Sequence, residues 1–378
     1  MRRVLIITHH TSNTGAPNIC LFVAKDLRDT FPNIEIDILA LESNNSLDSE
    51  FKKMADNFIE LSNFSKQPDY SILNRIKAKL YNYSIVSEYS KEVTRLANQN
   101  YDFIFANTVV SIPFSLKLKE INPRLKVVCY VLEMCTVIDQ LCKNFKELIC
   151  DIDLIAIISE FNKQHLISNY HLNLENSVNL IPPIVLKTSP NKNLKNLEEF
   201  NVVMIGSVHW RKGEDVFIQV ANHVLKSEGN IHFYWIGYID DYQKKIINSD
   251  LIRLGIDKNV HFVGELENPH ELTSKMDVFI LTSREEPFGM AAAEAGLLGL
   301  PILFFDNVTG VGEILKENGI QSSSPYLDYI HMSDRIIELY KDKDLCYNIG
   351  QKTKKIIQEL AETSFNDGMK EIYKRISK

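Results

Sequence analysis

The sequence has no long apolar run, and this absence argues against a secreted protein and against a membrane-spanning one. Its first apolar stretch, Val4 to Ile7, is too short for the core of a secretory signal, and no later stretch approaches the length of a transmembrane helix. We therefore expect a cytoplasmic chain. Peripheral association at the inner face of a membrane stays open as an alternative.

The sequence also lacks an excess of basic residues and the cysteine spacings that are typical of metal sites. With 49 acidic and 42 basic side chains, the formal net charge is −7, which argues against broad nucleic-acid binding. The six cysteines form no C-x2-C pair and have no histidine at zinc-finger spacing, so we expect reduced cysteines that pack in the interior. The Asp-x-Asp sequence at Asp151 to Asp153 precedes a predicted strand instead of following it. We expect no metal site.

What the sequence does contain is an ordinary globular composition and a regular alternation of elements. The 378 residues are 45% hydrophobic and 24% charged, which is enough for two domains that each bury a core. Short apolar runs alternate with amphipathic helical patterns in both halves of the chain. The predicted fold class is therefore α/β, with two doubly wound Rossmann-like domains.

One stretch in the second half combines a strand, a loop, a helix and another strand. Val278 to Leu281 is a short apolar run typical of a buried parallel strand, and Pro287 and Gly289 break the pattern after it. The Ala-rich run from Met290 predicts a helix, and Pro301 to Phe305 predicts the next strand. A loop between the carboxyl end of a strand and the amino end of a helix favours an anion such as phosphate.

Two acids flank this predicted anion site. Glu286 lies in the loop, and Glu294 lies about one turn inside the helix. Acids beside an anion site suit the hydroxyl groups of a sugar or a ribose better than phosphate itself. The alternative is that Glu294 complements the helix dipole and Glu286 is a solvated loop acid.

Basic residues occupy another predicted strand-to-helix loop in the same half. Arg211 and Lys212 follow the predicted strand Asn201 to Gly206 and precede a helical pattern. Two cations in such a loop are well placed to neutralise a leaving diphosphate. The alternative interpretation is a solvated pair of surface charges.

The pattern Glu286-Pro-Phe-Gly-Met-x3-Glu294-Ala-x5-Pro301 closely resembles the E-x7-E signature of the GT4-type retaining glycosyltransferases. The resemblance implies the GT-B fold, in which two Rossmann-like domains face a central cleft. It implies transfer of a sugar from a nucleotide-diphosphate sugar, with a UDP-sugar favoured, to a saccharide or lipid-linked hydroxyl acceptor in cell-surface polysaccharide or glycolipid synthesis. It also implies that no further cofactor and no metal are required.

The resemblance assigns roles to individual residues. Glu286 is expected to hold the donor sugar's hydroxyls and Glu294 those of the ribose, whereas Lys212 matches a base that binds the diphosphate. Ser207 stands where the family has an arginine, and the neighbouring Arg211 is expected to compensate. The other candidates on the donor side are Gly15, Gly264, Leu266, Phe288, Gly289 and Met290.

The acceptor-side candidates lie in the first half of the chain. Asn107 and Glu133 each follow a predicted strand, and Leu132 stands where many relatives have a histidine. The amphipathic pattern at 72–97 carries several basic residues and predicts a helix with a solvated face, the alternative being a surface that grips an acidic or lipid-linked acceptor.

The chain order predicts four segments: an acceptor-side domain at 1–185, a polar linker at 186–200, a nucleotide-sugar domain at 201–361, and a helix at 362–378 that returns to the first domain. Two rivals stay open. One is a non-catalytic subunit that kept the fold, for which Ser207 and Leu132 are the argument. The other is a sugar-nucleotide epimerase or phosphorylase on the same architecture.

Overall fold

The computed structural model describes residues 2–43, 46–61, 89–186 and 199–377. The chain divides into two compact units: unit 1 contains Met1–Pro182 and Ser364–Lys378, and unit 2 contains Pro183–Thr363. The predicted linker at 186–200 and the amphipathic pattern at 72–97 lie largely outside the described residues. In the described part of the chain, none of the helices combines the length and the apolar composition that a membrane span requires.

Unit 1 contains a parallel sheet of seven strands in the order β3-β2-β1-β4-β5-β6-β7. Its central strands are buried apolar runs, as expected for a sheet covered on both faces. The order reverses between β1 and β4, and in such sheets ligands bind outside the carboxyl ends of the strands at this point. The strands are β1 (Arg3–Thr8), β2 (Glu35–Ala40), β3 (Asn57–Glu60), β4 (Phe103–Asn107), β5 (Val127–Val131), β6 (Leu154–Ile157) and β7 (Val178–Asn179).

Helices connect these strands. Ser159 caps α7, because its hydroxyl accepts a hydrogen bond from the Asn162 N–H at 3.0 Å. Pro17 lies in the first turn of α1, where its missing N–H leaves no helical partner unsatisfied. The helices are α1 (Gly15–Thr30), α2 (Asp48–Met54), α3 (described over residues 89–97), α4 (Ile112–Ile121), α5 (Cys135–Leu141), α6 (Phe145–Leu148) and α7 (Glu160–Tyr170).

Unit 2 contains a second parallel sheet of six strands in the order β10-β9-β8-β11-β12-β13. The strands are β8 (Phe200–Ile205), β9 (Ile231–Ile236), β10 (Val260–Gly264), β11 (Val278–Leu281), β12 (Ile302–Phe305) and β13 (Ser323–Ser324). The helices that follow them are α8 (Glu214–Leu225), α9 (Asp241–Leu254), α10 (Pro269–Thr273), α11 (Met290–Leu297), α12 (Gly310–Glu317) and α13 (Tyr329–Lys341). Both sheets are doubly wound, so the predicted α/β class is confirmed.

An aromatic cluster fixes α8 against the second sheet. Phe217 of α8 makes edge-to-face contacts with Phe233, Trp235 and Phe262, at centroid distances between 5.1 and 6.0 Å. The indole N–H of the buried Trp235 donates to the Gly206 carbonyl at 2.7 Å. This bond ties β9 to the loop after β8, which carries Arg211 and Lys212.

The last helix, α14 (Lys343–Ile376), differs from its prediction at 362–378. It is one continuous helix of 34 residues, about twice the predicted length. Its last part packs within unit 1, where the Tyr373 hydroxyl donates to Asp26 at 2.5 Å and Lys126 donates to the Ile376 carbonyl at 2.9 Å. No proline interrupts residues 343–376, so nothing in the sequence ends the helix at 361.

Candidate functional site

Three charged side chains meet at the carboxyl ends of β8 and β11. Glu286, in the loop before α11, pairs through Oε2 with both the Lys212 ammonium and the Arg211 guanidinium, the second contact being 3.1 Å long. The side chains of Glu286 and Lys212 are only 12% and 16% exposed. The structure thus brings together the three residues that the sequence nominated for catalysis, and we call them the cationic cluster.

The pKa shifts in the cationic cluster follow from one carboxylate being shared by two cations. Burial opposes the charged form of Glu286, but Lys212 and Arg211 outweigh it and hold the pKa of that carboxyl below its usual range. Burial lowers the pKa of Lys212, and Arg211 lowers it further, whereas Glu286 raises it. Two cations share one carboxylate, and the nearby Glu285 has its pKa raised by burial, which disfavours its charged form. This arrangement suits an incoming anion.

Backbone contacts hold the two loops of the cationic cluster together. The Thr282 hydroxyl donates to the Lys212 carbonyl at 3.0 Å, and the Arg284 N–H donates to the Arg211 carbonyl at 2.8 Å. Gly213 has φ +71°, and a Cβ there would lie 2.2 Å from the Thr282 carbonyl oxygen. Only glycine permits this approach, so the Lys-Gly pair in the sequence has a steric cause.

A second group on the same loops was not predicted from the sequence. Arg284 donates to both carboxylate oxygens of Asp215, at 2.9 and 2.7 Å, and to the Trp210 carbonyl at 2.7 Å. Its guanidinium lies 5.2 Å from the centroid of the Trp210 ring, and that residue is 55% exposed. Because Arg284 and Glu286 are on one loop and Trp210 and Lys212 on the other, this group fixes the loops that carry the cationic cluster.

The turn into α11 is tied to the loop before α12. The Phe288 carbonyl accepts hydrogen bonds from the Thr309 hydroxyl at 2.7 Å and from the Val311 N–H at 2.8 Å, while the Phe288 side chain is buried in the core. Gly289 has φ +98°, and Met290 begins the helix. The predicted turn and helix start are confirmed, and the amino end of α11 lies four residues after Glu286.

Glu294 lies in the second turn of α11 and has a partner that the sequence did not reveal. Its Oε2 lies 3.1 Å from Nε2 of His270 in α10. The two residues are 24 positions apart and in different helices, and no spacing rule connects them.

The remaining donor-side candidates of unit 2 lie at the ends of β8 and β10. The Gly264 carbonyl accepts the Gly237 N–H at 2.9 Å, and the space where a Gly264 Cβ would lie is open to 4 Å. Leu266 is half-buried and Ser207 is exposed. These positions share the carboxyl edge of the sheet with the cationic cluster.

In unit 1 the predicted residues lie around the carboxyl ends of β4 and β5. The Asn107 amide donates to the Ala16 carbonyl at 2.8 Å and so fixes the start of α1, next to Gly15. Glu133 accepts hydrogen bonds from the N–H groups of Leu132 at 3.0 Å and Val109 at 3.4 Å. Burial nevertheless raises the pKa of Glu133 to about 7.

Thr108, also at this edge, has a strained backbone that the sequence did not indicate. Its φ and ψ of 76° and 158° lie in a region that is almost exclusive to glycine. Its hydroxyl lies 3.4 Å from Nδ1 of His9, and burial, with a contribution from His10, lowers the pKa of His9 to about 4. At neutral pH this edge therefore presents an uncharged imidazole.

Residues 187–356 match the family model described as "Glycosyl transferases group 1". The capsular polysaccharide biosynthesis glycosyltransferase CapM of Staphylococcus aureus is 25% identical over 46% of this chain and 48% of its own length. The N-acetyl-alpha-D-glucosaminyl L-malate synthase of Bacillus anthracis is 29% identical over 28% of each chain. The matched part thus spans about half or less of these relatives.

Solved structures extend the similarity over the whole fold. Anabaena HepE, crystallised with UDP and glucose, is 16% identical with a TM-score of 0.79, over 99% of this chain and 100% of its own. TarM is 14% identical with a TM-score of 0.76, over 100% of this chain and 98% of its own. The fold is that of the GT-B glycosyltransferases. The residues matched by the family model contain the whole E-x7-E pattern.

Proposed function

We propose that this chain, whose second unit carries a group 1 glycosyl transferase domain, is a retaining GT4-type glycosyltransferase that uses a nucleotide-diphosphate sugar. The observation that carries the proposal is the cationic cluster. Within the residues matched by the family model, Arg211 and Lys212 pair with Glu286, the first acid of the E-x7-E pattern, and all three side chains are largely enclosed.

Each member of the cluster has a distinct task in the proposed reaction. Lys212 and Arg211 neutralise the diphosphate as it leaves, and the amino end of α11 assists them. Glu286 accepts hydrogen bonds from the donor sugar's hydroxyls, and Glu294 does so from the ribose. The acceptor hydroxyl attacks from the face that the nucleotide leaves, which retains the anomeric configuration.

Metal independence is part of this proposal. The cations that stabilise the leaving group come from the protein, so the mechanism requires no bound metal to do the same work. Arg211 reaches Glu286 at 3.1 Å, which supports its taking the role of the arginine that Ser207 replaces.

The acceptor is proposed to be a saccharide or a lipid-linked saccharide. Relatives named for capsular polysaccharide and O-antigen biosynthesis support this class, and the UDP in the HepE crystals supports a UDP-sugar donor. A lipid-linked acceptor is held at a membrane, so we include peripheral contact with the inner face of the membrane in the proposal. On the acceptor side we propose Asn107 and Glu133, at the carboxyl edge of the first sheet.

The first experiment is thermal stabilisation by a panel of UDP-, GDP-, ADP- and dTDP-sugars with EDTA present, with released nucleotide measured in the same wells. Stabilisation by one donor with slow release of its nucleotide is expected. Stabilisation by none would overturn the proposed donor class. Loss of release in EDTA, with recovery when metal is added, would overturn metal independence.

The non-catalytic alternative rests on Ser207 and Leu132, which depart from the family pattern. Donor binding without turnover, in the presence of cell-envelope acceptors, would favour it. Formation of a free epimer or of a sugar phosphate from the donor would instead indicate an epimerase or a phosphorylase.

A further inference from the structure

His270 is a buried imidazole directly beside Glu294. Its side chain is 4% exposed, whereas that of Glu294 is 25% exposed. The carboxylate therefore has one side against the protein and part of its surface toward solvent. An ionised carboxylate can only accept hydrogen bonds, so the 3.1 Å contact between Glu294 Oε2 and His270 Nε2 requires a hydrogen on that nitrogen.

Short-range contacts fix the position of His270. Pro269 opens α10, where its ring restricts the backbone, and its carbonyl accepts the Thr273 hydroxyl at 2.8 Å. The His270 carbonyl accepts the Ser274 N–H at 2.9 Å. The imidazole therefore reaches Glu294 from a constrained turn, and the contact restricts the rotation of a side chain that has three free torsions on its own.

The partners of the two acids of the E-x7-E pattern differ in kind. Glu286 is shared by two cations, which an anionic ligand would attract away from it. Glu294 instead contacts the buried imidazole of His270, which an anionic ligand does not attract away from it. The Glu294 carboxylate thus keeps its orientation while a ligand binds, which is the property required of a group that recognises neutral hydroxyls.

We propose that His270 is the positioning residue for Glu294, and that the pair recognises the ribose hydroxyls of the donor nucleotide. This inference rests on the proposed function and adds to it a residue outside the E-x7-E pattern. His270 binds no ligand itself. It holds one carboxylate oxygen so that the other oxygen meets the ribose at a fixed angle.

The test measures the Kd of UDP, and of a UDP analogue lacking both ribose hydroxyls, by calorimetry on the full chain. The variants are His270→Ala, His270→Gln, Glu294→Gln and the double variant His270→Ala/Glu294→Gln. We expect His270→Ala to weaken UDP binding about five- to tenfold, the effect of losing one ordinary hydrogen bond, because His270 acts on the ligand only through Glu294. The analogue that lacks both ribose hydroxyls is expected to bind wild type and His270→Ala with the same Kd.

Two further results distinguish positioning from simple structural support. His270→Gln, whose amide N–H can reach the same oxygen, should recover part of the affinity, and the double variant should bind UDP no worse than Glu294→Gln alone. Glu271→Gln is the matched control, because it changes an exposed side chain of the same helix and leaves the contacts that position His270 in place. It should leave the Kd of UDP unchanged.

The outcomes separate this inference from the proposed function. Failure of wild type to bind UDP would overturn the proposed UDP donor, and the ribose assignment with it. Binding of UDP by wild type with no loss in His270→Ala would overturn the inference alone. Equal weakening of UDP and of the analogue would also overturn it, because the effect would then not involve the ribose hydroxyls.

Discussion

The two sheets share the same strand order over six strands, but their carboxyl edges differ in electrostatic character. At the edge of the first sheet, burial favours uncharged forms: the pKa of His9 is lowered to about 4 and that of Glu133 is raised to about 7. At the edge of the second sheet, the equally enclosed Glu286 keeps its charge, since Lys212 and Arg211 lower its pKa.

The partner, more than the depth of burial, decides the charge of a buried acid. Among the described residues, Glu133 receives hydrogen bonds only from backbone N–H groups, which do not compensate for the loss of water, whereas Glu286 receives two full charges. The difference matches the proposed division of work. A neutral edge suits an acceptor hydroxyl, and a cationic edge suits a diphosphate.

The largest effect is expected when the cationic edge loses a charge. Lys212→Ala should reduce turnover by about two to three orders of magnitude, because it removes a preorganised group that stabilises the leaving diphosphate. Released nucleotide measures the rate, and circular dichroism checks folding. Lys258→Ala, at an exposed position, is the control and should retain activity. Near-normal turnover by a folded Lys212→Ala protein would contradict the proposed role.

A more specific test exchanges the carboxylate of the cationic cluster for an amide. Glu286→Gln should tighten the binding of free UDP by about three- to tenfold, because the two cations lose their internal anion and attract the diphosphate more strongly. Turnover should fall at the same time, as the contact with the donor sugar is weakened. Calorimetry and nucleotide release measure the two effects. Weaker UDP binding by this variant would show that Glu286 does not compete with the ligand for the cations.

The neutral edge predicts a pH dependence of stability. The pKa of Glu133 is raised from an ordinary 4.5 to about 7, so the folded protein binds more protons than the unfolded chain between these values, and stability falls as pH rises through them. Glu133→Gln removes this loss. The melting temperature of Glu133→Gln, measured relative to that of wild type, should therefore rise as the pH increases from about 5 to about 8. Parallel curves for the two proteins would contradict a raised pKa.

The smallest effect concerns the strained backbone at the neutral edge. Thr108→Gly should be more stable than Thr108→Ala by about 1 kcal/mol, because only glycine relieves the strain. Urea unfolding measures both variants. Thr94, in the exposed part of α3, is the control position, and there the glycine variant should be the less stable. The same order at both positions would show that Thr108 is not strained.

Much of the fold was predictable because its strands are buried and parallel. Such strands are continuous apolar runs, and the strand predicted at Val278 to Leu281 is β11 with the same bounds. The length of α14 was not predicted, because the family resemblance suggested a separate last helix. The sequence has no proline there that would distinguish two helices from one continuous helix.

The candidate site was predictable as a set of residues but not as a set of contacts. The pattern around Glu286 and Lys212 nominated both residues, whereas their pairing joins positions 74 residues apart and depends on the register of β8 against β11. His270 and Arg284 act through side chains that no local spacing rule relates to their partners. The strain at Thr108 follows from where β4 ends against its neighbours, which a sequence pattern does not encode.

Unit 1 consists of two segments that the sequence of unit 2 separates, and this affects when each unit can fold. Its second segment, Ser364–Lys378, is translated only after all of unit 2. Until then the nascent first 182 residues lack the Tyr373 ring that packs edge-to-face on Phe31 at 5.1 Å, and the buried Ile372. Most of unit 1 is translated before unit 2, yet unit 1 is completed after it. Unit 2 therefore has all of its own residues available to fold before unit 1 is closed.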